Sequence, residues 1–247
     1  MKYQLDKIST APPKSIKKEA TKKKLEQLKI RINDLQNLLY AENKHSLLVI
    51  LQGMDASGKD GLVRHVFGAM NPVGCRIFAF KKPSEEEMRY DFLWRIHKVV
   101  PPKGMTHVFN RSHYEDVVAQ KVHRWVDGDT IKQRYHRINE FEKLLVENGT
   151  IIFKFYLHIS KEEQIKRLQD RMSDPAKMWK YNEEDIKERG FWDKYMNAYE
   201  LAFNHCSENG KWNIIPADAN WYKEYLVAEK IVSELESLKM KFPGMKK

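Results

Sequence analysis

The stretch LLVILQGMDASGKDG, residues 47–61, decides the fold. Five consecutive apolar residues, Leu47 to Leu51, lead through Gln52 into Gly53, and a G-x-x-x-x-G-K pattern closes at Gly58 and Lys59. A short apolar run ending in glycine reads as a strand buried on both faces. The helix after it is expected from about Gly58 to Met70. A glycine-rich turn between such elements aims several backbone N–H groups into one concavity, and the helix start adds positive potential. Gly53, Met54, Ala56, Ser57, Gly58 and Gly61 are therefore expected around a phosphate group. The mobile ammonium of Lys59 is suited to follow a phosphoryl group through transfer.

Two carboxylates need explaining. Asp55 lies inside the turn, and Asp60 stands where such turns normally carry serine or threonine. Unpaired carboxylates would repel phosphates, so a bridging divalent cation is the economical solution, magnesium above all. Asp55 is expected to face the site, binding metal directly or through water, or orienting the acceptor. Asp60 has two readings: a site residue, or an acidic group favouring the helix dipole.

Outward from this stretch, residues 1–13 read as a loose or partly docked arm. An amphipathic helix follows from about Lys14 to Tyr40, with Leu25, Leu28, Ile32 and Leu35 on one stripe. Residues 74–80 read as a strand delivering Lys81 and Lys82. Residues 84–100 read as one helix, opened by a Ser84/Glu87 capping box and stopped by Pro101-Pro102. Strands are expected at 105–116, 150–160 and 212–218. Helices are expected at about 130–148, from Ser160 onward, and from 218 to about Met240. Segment 173–195 is polar and aromatic without a strand pattern. Strands alternating with helices of this length specify an α/β fold whose parallel sheet is covered on both faces. Two parts are expected: an N-terminal arm and helix over 1–44, and a single nucleotide-type domain over 45–247.

A chain of 247 residues with 42% hydrophobic content can bury a large core. Its longest apolar run is far shorter than the roughly 20 residues a bilayer span needs, and its N-terminus lacks a signal-peptide core. A cytoplasmic protein without a membrane partner is expected. The net charge of +10 favours polyanions without choosing among them. Cys75 and Cys206 have no metal-ligand spacing and read as small buried hydrophobes.

The segments LLVILQGMDASGKDG, FKKPSEEE, DFLWRIH, VFNRSHYEDV, FYLHIS, DPAKMWK and PAD, in this order, resemble the polyphosphate kinase 2 family over residues 45–235 or so. FNRSHYED is similar to the form found in its class III. The resemblance implies a P-loop kinase-like core with a helical lid, matched here by Ser173 to about Tyr199. It also implies transfer of the terminal phosphoryl group of inorganic polyphosphate to AMP or ADP, reversibly, with Mg2+ or Mn2+. Other nucleotides, guanine nucleotides among them, and a dimeric or tetrameric assembly belong to the same expectation; nucleic acid does not. The family's Walker-B-like element falls on Asn110, Arg111 and Ser112. Many relatives carry aspartate where Asn110 stands, so Glu115 is the substitute carboxylate for metal.

Such chemistry must hold two polyanions end to end. Asp55, Lys59 and Arg111 are the expected catalytic groups. Lys81, Lys82, Arg64, Arg95 and Arg124 form a candidate row for a long chain, each with a surface ion pair as the alternative. Arg167 and Arg171, four apart on one helix face, are read as a clamp on transferring phosphates or as surface cover. In the lid, Lys177 and Lys180 are candidate phosphate contacts, and Trp179 is read as covering a base or packing the lid. Two other functions share these features: an ATP-dependent nucleoside-monophosphate kinase and a non-enzymatic polyanion-binding module.

Overall fold

Five strands form one wholly parallel sheet in the computed structural model, which describes residues 2–244. They are β1 (Ser46–Gln52), β2 (Cys75–Ala79), β3 (Thr106–Asn110), β4 (Thr150–His158) and β5 (Trp212–Pro216), in the order β2-β3-β1-β4-β5. β1 lies at the centre, with Val49 opposite Val108 on one side and Phe153 on the other. Every residue of β1 is buried, as the uninterrupted apolar run requires. The chain leaves β1 for one side of the sheet and later returns to build the other. Ligands in such sheets bind beyond the carboxyl ends of the strands at that switch point, which is where the Gly53–Lys59 turn lies.

Nine α-helices connect and flank the strands among the described residues. They are α1 (Lys18–Glu42), α2 (Lys59–His65), α3 (Trp94–His97), α4 (Glu115–His123), α5 (Gly128–Glu147), α6 (Lys161–Ser173), α7 (Glu183–Arg189), α8 (Trp192–His205) and α9 (Asn220–Ser237). Helices α1 and α2 pack on α9, and α4 packs on α5 and α8. None is long and apolar enough to cross a membrane.

The N-terminal arm is docked. Leu5 is buried, its N–H donates to Glu200 Oε1 at 2.6 Å, and its carbonyl lies 3.1 Å from His158 Nε2. Thr10 Oγ1 donates to Asp218 Oδ2 at 2.6 Å. Leu25, Ile32, Leu35 and Leu39 of α1 join the same core as β1, so residues 2–44 share the core of the domain that follows.

The single helix expected over 84–100 is not formed. The Ser84/Glu87 capping box exists, with Ser84 N–H on Glu87 Oε2 at 2.9 Å and Glu87 N–H on Ser84 Oγ at 3.2 Å. It opens only the short 3-10 turn Glu87–Arg89. Tyr90 is extended, and the Asp91 carboxylate accepts from Leu93 N–H at 2.9 Å, which starts a fresh turn leading to α3.

Behind the strand ends lies a buried polar cluster. Lys154 and Glu142 are both fully buried and pair at 2.6 Å. Tyr114 donates to the other Glu142 oxygen at 2.7 Å, and Lys154 also donates to Cys206 O at 2.9 Å. Cys206 is buried and Cys75 half-buried, both free thiols.

Candidate active site

The Gly53–Lys59 turn needs glycine at its two ends. A Cβ on Gly53 would sit 2.9 Å from Leu157 O, and one on Gly58 only 2.2 Å from Lys223 Nζ. Both residues also have positive φ, +151° and +93°, and the latter is costly for any side chain.

All six carbonyl oxygens of residues 53–58 accept from side chains. Lys59 Nζ donates to Gly53 O at 2.6 Å and Met54 O at 3.1 Å. Gln164 Nε2 holds Asp55 O at 3.0 Å. Arg167 Nη1 holds Ala56 O and Ser57 O, each at 3.1 Å. Lys223 Nζ holds Ser57 O at 3.2 Å and Gly58 O at 3.3 Å. A trans peptide sends its N–H opposite its C=O. Tying the carbonyls back therefore presents N–H groups on the other side, the arrangement that binds anions.

Lys59 spends two of its three donors on the loop, leaving one for a ligand. Burial and the neighbouring Arg111 charge lower its ammonium to about 8, against the opposing pull of Asp55, Glu115 and Asp60. Arg111 follows β3 with φ +62°, a costly conformation for a non-glycine residue and one that clusters at functional sites. There its Nη2 bonds Asp55 Oδ1, while Nη1 lies 3.8 Å from Glu115 Oε2. Glu115 and Asp55 hold the guanidinium firmly protonated against its burial.

One guanidinium touching both carboxylates means that Asp55 and Glu115 face the same space. With its amide oriented to satisfy its neighbours, Gln52 donates to Glu115 Oε1 at 2.9 Å and accepts from Ser112 N–H at 3.2 Å. Among the described residues no cluster of three or more His, Cys, Asp or Glu is arranged for a metal. Magnesium shared with phosphates needs less, one or two carboxylates with water and phosphate oxygens completing its shell. Asp55 and Glu115 fit that demand.

The remaining candidates divide by location. Phe80 N–H bonds Asn110 O at 3.0 Å, so Lys81 and Lys82 emerge beside Arg111 at the same sheet end, both exposed. They border a groove of about 460 Å3 with Phe80, Glu87, Arg95 and Lys98. Asn110 Nδ2 donates to Asp60 Oδ1 at 2.8 Å, and Lys180 of the lid lies 3.4 Å from Asp60 Oδ2. Burial opposes ionisation of Asp60, but Asn110 and Lys180 outweigh it and hold the carboxyl below its ordinary value. Ser112 Oγ is buried and bonds Tyr114 N–H at 3.2 Å. Arg64 and Gly61 lie on α2, the arginine exposed.

Three arginines are placed differently from expectation. Arg167 directs all five N–H groups at protein oxygens: Glu163 at 2.8 Å, Ala56 O and Ser57 O, Ala217 O at 2.7 Å and Asp218 O at 2.9 Å. Its donors are saturated, so it braces the loop and clamps no phosphate. Arg95 is buried, bonded to Lys81 O at 2.9 Å and close to Asp116 at 3.7 Å, which makes it a support for Lys81. Arg124 caps α4, about 14 Å along the helix from Glu115 at 1.5 Å per residue, and is not brought to the loop.

Arg171 of α6 pairs with Asp185 of the lid at 2.8 Å, and within the lid Lys177 pairs with Asp174 at 2.8 Å. Trp179 is 77% exposed, with the Lys180 ammonium 4.8 Å from its ring centroid. Sequence reading missed Gln164 and Lys223. The signal for Lys223 was its place at the head of the row Lys223, Val227, Ile231, Leu235, a lysine on a core stripe whose successive members are four residues apart.

The model of a family described as polyphosphate kinase 2 matches residues 15–243. An AMP/ADP-polyphosphate phosphotransferase of Meiothermus ruber is 48% identical over 227 residues, 92% of this chain and 85% of that one. An ADP-polyphosphate phosphotransferase of Rhodopseudomonas palustris is 44% identical over 226 residues, 86% of this chain and 78% of that one. The crystal structure of polyphosphate kinase 2 from Arthrobacter aurescens TC1 superposes with a TM-score of 0.96 at 42% identity, covering 99% of this chain and 89% of that one.

Proposed function

This chain belongs to the polyphosphate kinase 2 family, and from that premise we propose that it transfers the terminal phosphoryl group of inorganic polyphosphate to AMP and ADP, reversibly. An oxygen of the nucleotide's terminal phosphate attacks the end phosphorus of the chain. The bond to the penultimate phosphate's bridging oxygen breaks, and that oxygen leaves with the electron pair on a polyphosphate one unit shorter. The attacking phosphate is largely ionised near neutral pH, since its second pKa is ~6, so no strong general base is needed. The work left to the protein is alignment and charge neutralisation.

The observation that carries the reading is the convergence of the anion-presenting loop, Lys59, Arg111 and the Asp55/Glu115 pair at one sheet end. The loop N–H groups hold the transferring phosphate. Lys59 offers its third donor, and Arg111 offers a planar fork matched to phosphate oxygens. Asp55 and Glu115 would hold magnesium or manganese, which would supply positive charge to offset the phosphate oxygens. Lys81, Lys82 and the lid's Lys180 are suited to the rest of the polyphosphate. Use of guanine nucleotides, a homo-oligomeric assembly and a cytoplasmic location belong to the same proposal.

The test is direct. Purified protein with AMP, long-chain polyphosphate and magnesium is expected to form ADP and then ATP, with none formed when polyphosphate is omitted. Absence of product with both AMP and ADP as acceptors would overturn the reading.

A further inference from the structure

Lys223 reaches the back of the phosphate loop from α9, the last helix, and its side chain is fully buried. Among the described residues its ammonium has three partners, all neutral oxygens: Asn220 Oδ1 at 2.9 Å, Ser57 O at 3.2 Å and Gly58 O at 3.3 Å. Glu224, beside it on α9, is engaged by His65 at 2.8 Å instead. Arg167 adds a second cation at the Ser57 carbonyl, and among the described residues its one ion pair is with Glu163. A buried ammonium with no carboxylate partner is costly. A fold retains such a group where an anion on the near side compensates it.

The peptide units it grips supply that connection. Ser57 O belongs to the peptide whose N–H is that of Gly58, and Gly58 O to the peptide whose N–H is that of Lys59. Planarity makes each N–H point away from Lys223, toward the concave side. A cation on the carbonyl end also polarises the peptide and strengthens the donor at its other end.

We propose that Lys223 is a positioning residue for the phosphoanion, fixing and polarising the Ser57–Gly58 and Gly58–Lys59 peptides from behind so that their N–H groups bind phosphate oxygens. The inference rests on the reading of the loop as a phosphate cradle. It couples binding to protonation, because an anion seated in the loop favours the charged ammonium. The groups facing Lys223 are Lys59 and His65 of α2, Arg167 and Glu163 of α6, and Glu224 of its own helix. Burial first, then the Arg167 charge, lowers the ammonium to about 7. Anion binding near pH 7.5 should therefore draw in a proton.

Inorganic tripolyphosphate without added metal is the probe, titrated calorimetrically at pH 7.5 in two buffers of different ionisation enthalpy. Lys223→Met, a near-isosteric change, is expected to weaken Kd on the order of tenfold, as loss of charge-assisted hydrogen bonds implies. It should also take up a smaller fraction of a proton than wild type. Ionisation of the probe cancels in that comparison. Asn220→Ala removes the exposed residue that orients the ammonium and should weaken binding two- to fivefold, which keeps the idea testable if Lys223→Met fails to fold. Wild-type Kd and proton uptake in a folded Lys223→Met protein, or wild-type binding by Asn220→Ala, would overturn the role of Lys223 while leaving the cradle standing. Failure of the wild-type protein to bind tripolyphosphate would overturn the cradle itself and the inference with it.

Discussion

Arg111 Nη2 donates to Asp55 Oδ1, so a guanidinium on the turn after β3 closes onto a carboxylate in the turn after β1. Each residue sits at the end of a strand in the same parallel pair, with Leu51 opposite Asn110. The contact places one positive and one negative group beside the phosphate loop, where the proposed reaction needs them. Asp55→Asn keeps the size and the acceptor oxygen while removing the charge. It is expected to lower kcat on the order of 100- to 1,000-fold with AMP as acceptor, the scale of losing one preorganised electrostatic group. Lys59→Ala should lose at least as much. Steady-state rates with polyphosphate as donor check both, and near-wild-type turnover by either variant would contradict the assignment.

Arg167 gives a contrasting expectation. Five bonds from one guanidinium hold the loop, α6 and the turn after β5 together. Arg167→Lys keeps the charge but cannot span these acceptors. It should cost about 2–4 kcal/mol from bonds left unmade, or very roughly 5–15 °C in Tm for a domain of this size. Thermal unfolding measures this. A residue that instead clamped substrate would leave Tm unchanged and lower only activity.

The buried Lys154–Glu142 pair predicts non-additive mutations. Lys154→Met alone strands a carboxylate in the core and should cost about 3–5 kcal/mol. The double variant Lys154→Met/Glu142→Gln should recover a large part of that loss in denaturant unfolding. Burial alone would raise the Glu142 carboxyl, but Lys154 and His113 outweigh it and hold it below its ordinary value. A carboxyl lowered in the folded state stabilises above its unfolded pKa. That contribution should disappear as pH falls through the folded value, on the acid side of about 4.

The two lowered lysines act in the same direction, but in the alkaline range. Lys59 falls to about 8 and Lys223 to about 7, against 10.5 for the free side chain. Between these values and 10.5 the unfolded chain binds more protons than the folded one, so stability should rise with pH across that window. Lys223→Met removes one of the two contributions. The Tm of wild type minus that of the variant should then rise from pH 7 to pH 9, as neutralising Lys223 relieves its burial cost. A pH-independent difference would contradict the lowered ammonium.

The central strand, the loop after it and the meeting of Lys59, Asp55 and Arg111 around that loop were legible in the sequence because residue type carries their signal. An apolar strand followed by G-x-x-x-x-G-K can be read directly, and Arg111 is named by the motif around it. The 84–100 segment misled because its capping box is real yet serves a single turn. The break at Tyr90 depends on Asp91 bonding its own backbone, a choice that periodicity does not record. Arg167 misled for a deeper reason: its partners are mostly carbonyl oxygens, and every residue has one. Lys223 left a trace, a lysine on a helix's core stripe, but the loop it serves lies 165 residues away.

Donor preference tests the central claim most directly. Initial rates of ADP formation from AMP should be compared with long-chain polyphosphate and with ATP as sole phosphoryl donor, at equal free magnesium. The account predicts kcat/KM for polyphosphate at least tenfold above that for ATP, with the polyphosphate reaction lost in Asp55→Asn. Equal or greater efficiency with ATP would contradict it and identify an ordinary nucleoside-monophosphate kinase.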